Sequence, residues 1–151
     1  MNDNHSSTQP VFTIQQIYVK DLSYEAPHTP QIFGQQWQPD VNVTLNIDHQ
    51  LLTENMHEVV LCPTLTVKHD NKVLCLVEVQ QAGIFKLQDF TQAQLERLLK
   101  VTCPNILLPF AREEISNRMI KGGFPPIHLA PFDFEAEYMN AQHKTIKNES
   151  S

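Results

Sequence analysis

From Val41 to Asp48 the chain alternates without a break, Val41, Val43, Leu45 and Ile47 interleaving with Asn42, Thr44, Asn46 and Asp48. A two-residue period sends the two sets to opposite faces of an extended strand, one buried and one wet. After a polar loop expected near residues 49–56, Val59, Leu61, Leu65 and Val67 continue the pattern. Asp70-Asn71 supplies a two-residue hairpin turn. A fourth strand follows, with Val73, Cys75, Val77 and Val79 on one face and Leu74, Leu76, Glu78 and Gln80 on the other. Upstream, residues 11–20 (VFTIQQIYVK) are β-branched and aromatic, with Phe12, Ile14 and Tyr18 expected on one face. Residues 21–39 read as an irregular stretch punctuated by Pro27, Pro30 and Pro39. Its apolar residues (Leu22, Tyr24, Ile32, Phe33, Trp37) require it to pack on something.

From Thr91 the period becomes helical, with Leu95, Leu98, Leu99 and Thr102 on one stripe and Thr91 placed to cap the start. Pro104 predicts a break, with a second helix from about Asn105 that buries Leu108, Ala111, Ile115 and Met119 and stops at Gly122-Gly123. A Pro-rich connection over residues 124–131 leads to a final helix from Phe132. Strands first and helices after predict an α+β fold: a four-stranded antiparallel sheet followed by two or three helices. The expected domain covers residues 11–143, between disordered tails at 1–10 and 144–151. So few helices leave apolar surface uncovered, which predicts self-association.

Composition excludes several functions. With 151 residues, 41% apolar and 19% charged, the chain suits one globular domain. A net charge of −6 without a basic run disfavours nucleic acid and anionic membranes. No apolar run is long enough to span a bilayer, and MNDNHSSTQP lacks the features of a secretory signal, so the protein is expected to work in the cytoplasm. Cys62, Cys75 and Cys103 form no CxxC, and the seven histidines show no zinc spacing, so neither disulfide nor metal is expected.

Catalytic constellations are missing too. There is no G-x-S-x-G, no histidine near a cysteine, and no phosphate-cradling glycine loop. Cys103, at a helix start, is the one thiol in a position that lowers pKa, yet a small apolar residue in a packed junction is the better explanation. No enzyme and no cofactor are expected. One polar feature remains: Asp21 and Glu25 share a face if the chain stays extended, and Glu78 lies on the polar side of its strand, beside Leu76. Together they could form an acidic patch for a basic partner, or simply solvate the surface.

The segment Ile17-Tyr18-Val19-Lys20-Asp21-Leu22-Ser23-Tyr24-Glu25-Ala26-Pro27 resembles the opening motif of the SecB export chaperones. Trp37-Gln38-Pro39, the run Glu78 to Phe85, Cys103-Pro104-Asn105-Ile106-Leu107 with Pro109 to Glu113, Gly122 to Pro126, and Leu129-Ala130-Pro131 with Phe134 follow in family order. The resemblance implies a bacterial cytoplasmic homotetramer, a dimer of dimers, that binds unfolded preproteins and delivers them to the SecA motor without hydrolysing nucleotide. It implies that Asp21, Glu25, Leu76 and Glu78 dock SecA. It also implies an unfolded-polypeptide groove involving Tyr24, Phe33, Trp37, Val41, Phe134 and Tyr138. Two departures stand out: Cys75 replaces an aromatic frequent in the family, and Lys144 to Ser151 is not a strongly acidic tail. The alternative within the same resemblance is a chaperone dedicated to one client, such as an antitoxin.

Overall fold

A computed structural model describes residues 9–36 and 38–149, with side chains as far as Gln142. Four strands, β1 (Val11–Glu25), β2 (Asp40–Thr53), β3 (Met56–His69) and β4 (Lys72–Gln88), form one antiparallel sheet in the order β1-β4-β3-β2. Strands β2, β3 and β4 are joined by tight turns, as expected for alternating segments split by turn residues. Asp70 and Asn71 both take positive φ (49° and 63°), the conformation a two-residue hairpin loop needs.

Four expectations for the strands are corrected. The polar loop near 49–56 is instead strand on both sides of a turn at Glu54-Asn55, where Asn55 has φ 61°. The stretch from 21 is strand as far as Glu25, because Leu22 and Tyr24 find Val79 and Val77 across the ladder. Phe12, Ile14 and Tyr18 do not share a face. A register shift between Ile14 and Gln16 inverts the parity, so Tyr18 pairs with Ala82 on the other side of the sheet. Leu74 also escapes its expected face: a shift beside Val67 and Lys68 draws it into the core, 2% exposed.

Helices cover one face only. Helix α1 (Gln92–Arg97) starts with a capping box in which the Thr91 hydroxyl accepts from Gln94 and the Gln94 side chain accepts from the Thr91 amide. The expected break at Pro104 does not occur. The chain passes through a π turn (Leu98–Thr102) directly into α2 (Cys103–Lys121), with the Cys103 amide bonded to the Leu98 carbonyl. That wider turn accommodates a residue with no N–H to donate. It also rotates the stripe, burying Leu99 and Val101 rather than Thr102. Pro109 lies inside α2, not near its start, on the exposed side.

Helix α2 ends as its glycines require. Phe124 N–H bonds to Met119 and Gly123 N–H to Ile120, with Gly123 at φ 84°, a Schellman cap whose two apolar partners, Phe124 and Met119, share one cluster. Helix α3 (Phe134–Glu149) begins at Asp133, whose carboxylate accepts from Ala136 N–H, and continues into the stretch expected as a C-terminal tail. Of the expected N-terminal tail, residues 1–8 lie outside the described residues.

Two apolar clusters join sheet to helices. One packs Val59, Leu61, Phe85 and Leu87 against Leu99, Leu107, Ala111, Phe134 and Tyr138. The other packs Leu65, Val67, Cys75, Val77 and Val79 against Ile115, Met119, Phe124 and Ile32 of the segment between β1 and β2. Nothing from the helices reaches the opposite face, which Thr64, Thr66, Glu78 and Gln80 occupy.

Candidate functional site

The quartet of three acids and a leucine is assembled by strand register on the face without helices. Glu25 pairs directly with Leu76, Ser23 with Glu78, and Asp21 with Gln80. Cross-strand partners share a face, so all four expected residues lie together, Asp21 and Glu25 exposed, Leu76 and Glu78 half-buried. A second β1 bulge, between Val19 and Asp21, lets the neighbours Lys20 and Asp21 both address this face. Gln81 Nε2 braces the bulge by donating to the Tyr18 carbonyl at 3.1 Å. The Cys62 thiol donates to Glu78 Oε1 at 3.6 Å. Burial first, and then the Glu78 carboxylate, pushes that thiol up to about 11.

The six residues expected to border a groove fall into three places, and one is not described. Tyr24 and Phe33 meet the end of α2. Phe33 packs on Phe124, ring centroids 5.9 Å apart at 51°, and a Cβ on Gly123 would come within 3.0 Å of the Phe33 ring. A Cβ on Gly122 would strike the Tyr24 hydroxyl at 2.1 Å. The two glycines are therefore the seats of those rings. Val41 lies on the helix-side face of β2 beyond the reach of the helices, 39% exposed, and Val43 beside it is 38% exposed. Phe134 and Tyr138 are core residues at the other end of the sheet, 1% and 8% exposed, yet they also back a cavity of about 350 Å³ between β2 and α3. Trp37 lies outside the described residues.

Sequence reading missed Val43 as exposed apolar surface, although its place beside Val41 in the alternating strand signalled it. It also missed a buried carboxylate on the open face. Glu58 is 6% exposed and accepts from the Tyr18 hydroxyl, from Lys20 Nζ at 2.8 Å and from Gln50 Nε2 at 3.0 Å. Nothing in sequence distinguishes it from a solvated strand acid.

A nucleophile is not prepared at Cys103. It is fully buried, and burial pushes its thiol up to about 12, the reverse of thiolate activation. Among the described residues, no helix is long and apolar enough to cross a membrane.

Residues 5–145 match the profile of a family described as preprotein translocase subunit SecB. A protein-export protein SecB from Legionella pneumophila (strain Corby) is 48% identical over 139 residues, covering 92% of this chain and 86% of the relative. The one from Marinobacter nauticus is 46% identical over 138 residues, covering 91% and 84%. Among solved structures, a SecB-like chaperone of Mycobacterium tuberculosis, in complex with a peptide from the HigA1 antitoxin, superposes with a TM-score of 0.62 at 17% identity, covering 81% of this chain and 91% of that one. With a family profile spanning most of its length and export proteins of that name nearly half identical to it, this chain belongs to the SecB family of protein-export chaperones.

Proposed function

We propose that this protein holds unfolded preproteins in the cytoplasm in a translocation-competent state and hands them to SecA, without nucleotide hydrolysis or any catalytic group of its own. The observation that carries the reading is the division of the sheet into two differently finished faces. Its helix-side face continues past the helices as bare apolar strand at Val41 and Val43, and the half-exposed Phe33 ring adds apolar surface at the end of α2. An extended guest gains apolar contact there, and the free edge of β2 offers it backbone hydrogen bonds, with no sequence code required. Its open face carries Asp21, Glu25, Leu76 and Glu78, an acidic surface for a basic docking partner.

The protein acts as a homotetramer, a dimer of dimers. Several grooves on one particle engage a long chain at once, raising avidity by roughly 10²–10⁴ when the geometry fits. A folded protein cannot lay itself along such grooves, so selection for unfolded guests follows. Dedication to a single client such as an antitoxin is the lesser reading, because the near-half identity is to export proteins and the antitoxin-bound chaperone shares only 17%. The test is aggregation of a denatured preprotein, followed without nucleotide, beside the light-scattering mass of the chaperone. Suppression by a particle of four chains is expected; a monomer, or a particle that ignores the denatured chain, overturns the proposal.

A further inference from the structure

Beside the quartet, a cavity of about 570 Å³ opens in the same sheet face, lined by Lys20, Asp48, Gln50, Glu58, Cys62 and Gln80 among others. Two irregularities border it. One is the bulge at Lys20. The other is Pro63, which has no N–H, where the β3–β4 pairing lapses between Leu61/Gln81 and Thr64/Glu78. The cavity is continuous with the quartet, since Gln80 is the cross-strand partner of Asp21 and Cys62 bonds to Glu78.

Glu58 is the buried acid of this cavity. Hydrogen bonds from Lys20 first, and then from Tyr18, hold its carboxyl below the usual range, so it is ionised at neutral pH. Of its three donors only Lys20 is charged, and that side chain is 43% exposed on a flexible four-carbon stem. Gln50, though exposed, is neutral, so Lys20 is the partner that an incoming cation can replace charge for charge.

We propose that this cavity is a socket for an arginine or lysine side chain of the protein that docks on the open face, the incoming cation displacing Lys20 from Glu58. The inference rests on the docking reading above. Exchange of one cation for another keeps the buried carboxylate paired throughout, so insertion escapes the penalty of a bare buried charge. A guanidinium adds a two-pronged fit to the carboxylate that an ammonium lacks. The displaced Lys20 ammonium returns to water.

The experiment titrates purified SecA, at low ionic strength, into the wild-type protein, Lys20→Met and Lys86→Met. Lys86 pairs with Thr13 and Met56 on the same face, outside the cavity lining, so its substitution matches the change in charge. Removing the resident competitor is expected to tighten binding roughly three- to tenfold beyond Lys86→Met. Adding Glu58→Gln to Lys20→Met is expected to erase that advantage. Lys20→Gln, which keeps a donor to Glu58, replaces Lys20→Met if the latter melts early, with the same direction expected. Equal affinities for the Lys20 and Lys86 variants overturn the socket. Glu78→Lys runs alongside: if it weakens binding while those two agree, only the socket fails, and if it changes nothing, the docking reading fails and takes the socket with it.

Discussion

Ser23 faces Glu78 across the β1–β4 ladder, which sets Asp21 and Glu25 on the two diagonals of one carboxylate. A reversed charge at that centre meets both acids within reach of its own side chain while repelling a basic partner. Glu78→Lys is therefore expected to weaken SecA binding by about tenfold or more in a calorimetric titration. The melting temperature should hardly change, because the face carries no part of either core cluster.

Guest capture and folding are separable at two phenylalanines. Phe33 is 53% exposed and packs on Phe124 and over Gly123, so Phe33→Ala should cost no more than about 1 kcal/mol while reducing capture of a denatured client. Phe134 is 1% exposed, and Phe134→Ala should cost about 3–5 kcal/mol in denaturant melts. Equal stability losses in the two variants would contradict this division.

Gly123 combines a left-handed backbone with a ring against its α-carbon. Alanine there should lower stability by about 1–2 kcal/mol from the backbone alone. It should also push the Phe33 ring out of its seat, so client capture falls more than the melting midpoint predicts. Normal capture by Gly123→Ala would show that Phe33 works from another position.

His57 gives the fold a pH dependence of known sign. Burial, and then the neighbouring His49, holds its imidazole below the ordinary histidine range. Below about pH 6.5 the unfolded chain takes up a proton that the folded one resists, so the unfolded state binds more protons and stability drops as the pH is lowered. The contribution is fully present above that value. The Glu58 carboxylate, itself held low, loses its contribution only at more acid pH. Melting temperatures at about pH 5.5 and 7.5 should differ in the wild type and converge in His57→Phe. An unchanged gap in that variant would assign the pH dependence to other groups.

Much of this architecture was legible because alternation is a local signal. The residues from Val41 to Asp48 declare their two faces by themselves, and Asp70-Asn71 declares its turn. The bulges at Gln15, Lys20 and Leu74 were not legible, because an extra residue in a strand leaves no mark until the partner strand is known. The same reason hid the last third of β1. Tyr24 looked like loop until Val77 stood opposite it. Pro104 misled in the other direction, since a π turn absorbs its missing donor and no local rule foretells one. Of the site, the acids were visible as residue types, but their assembly depended on the β1–β4 register, and Glu58 could not be told from any wet strand acid.

The strand order has a consequence for synthesis. Among the described strands, β1 is made before the others and hydrogen-bonds only to β4, and Val11 finds its partner when Gln88 has been made. At roughly 5–20 residues per second, translation leaves this 15-residue ribbon unmatched for several seconds. During that interval the nascent chaperone is itself an unfinished polypeptide with a bare strand, the kind of molecule it goes on to shelter.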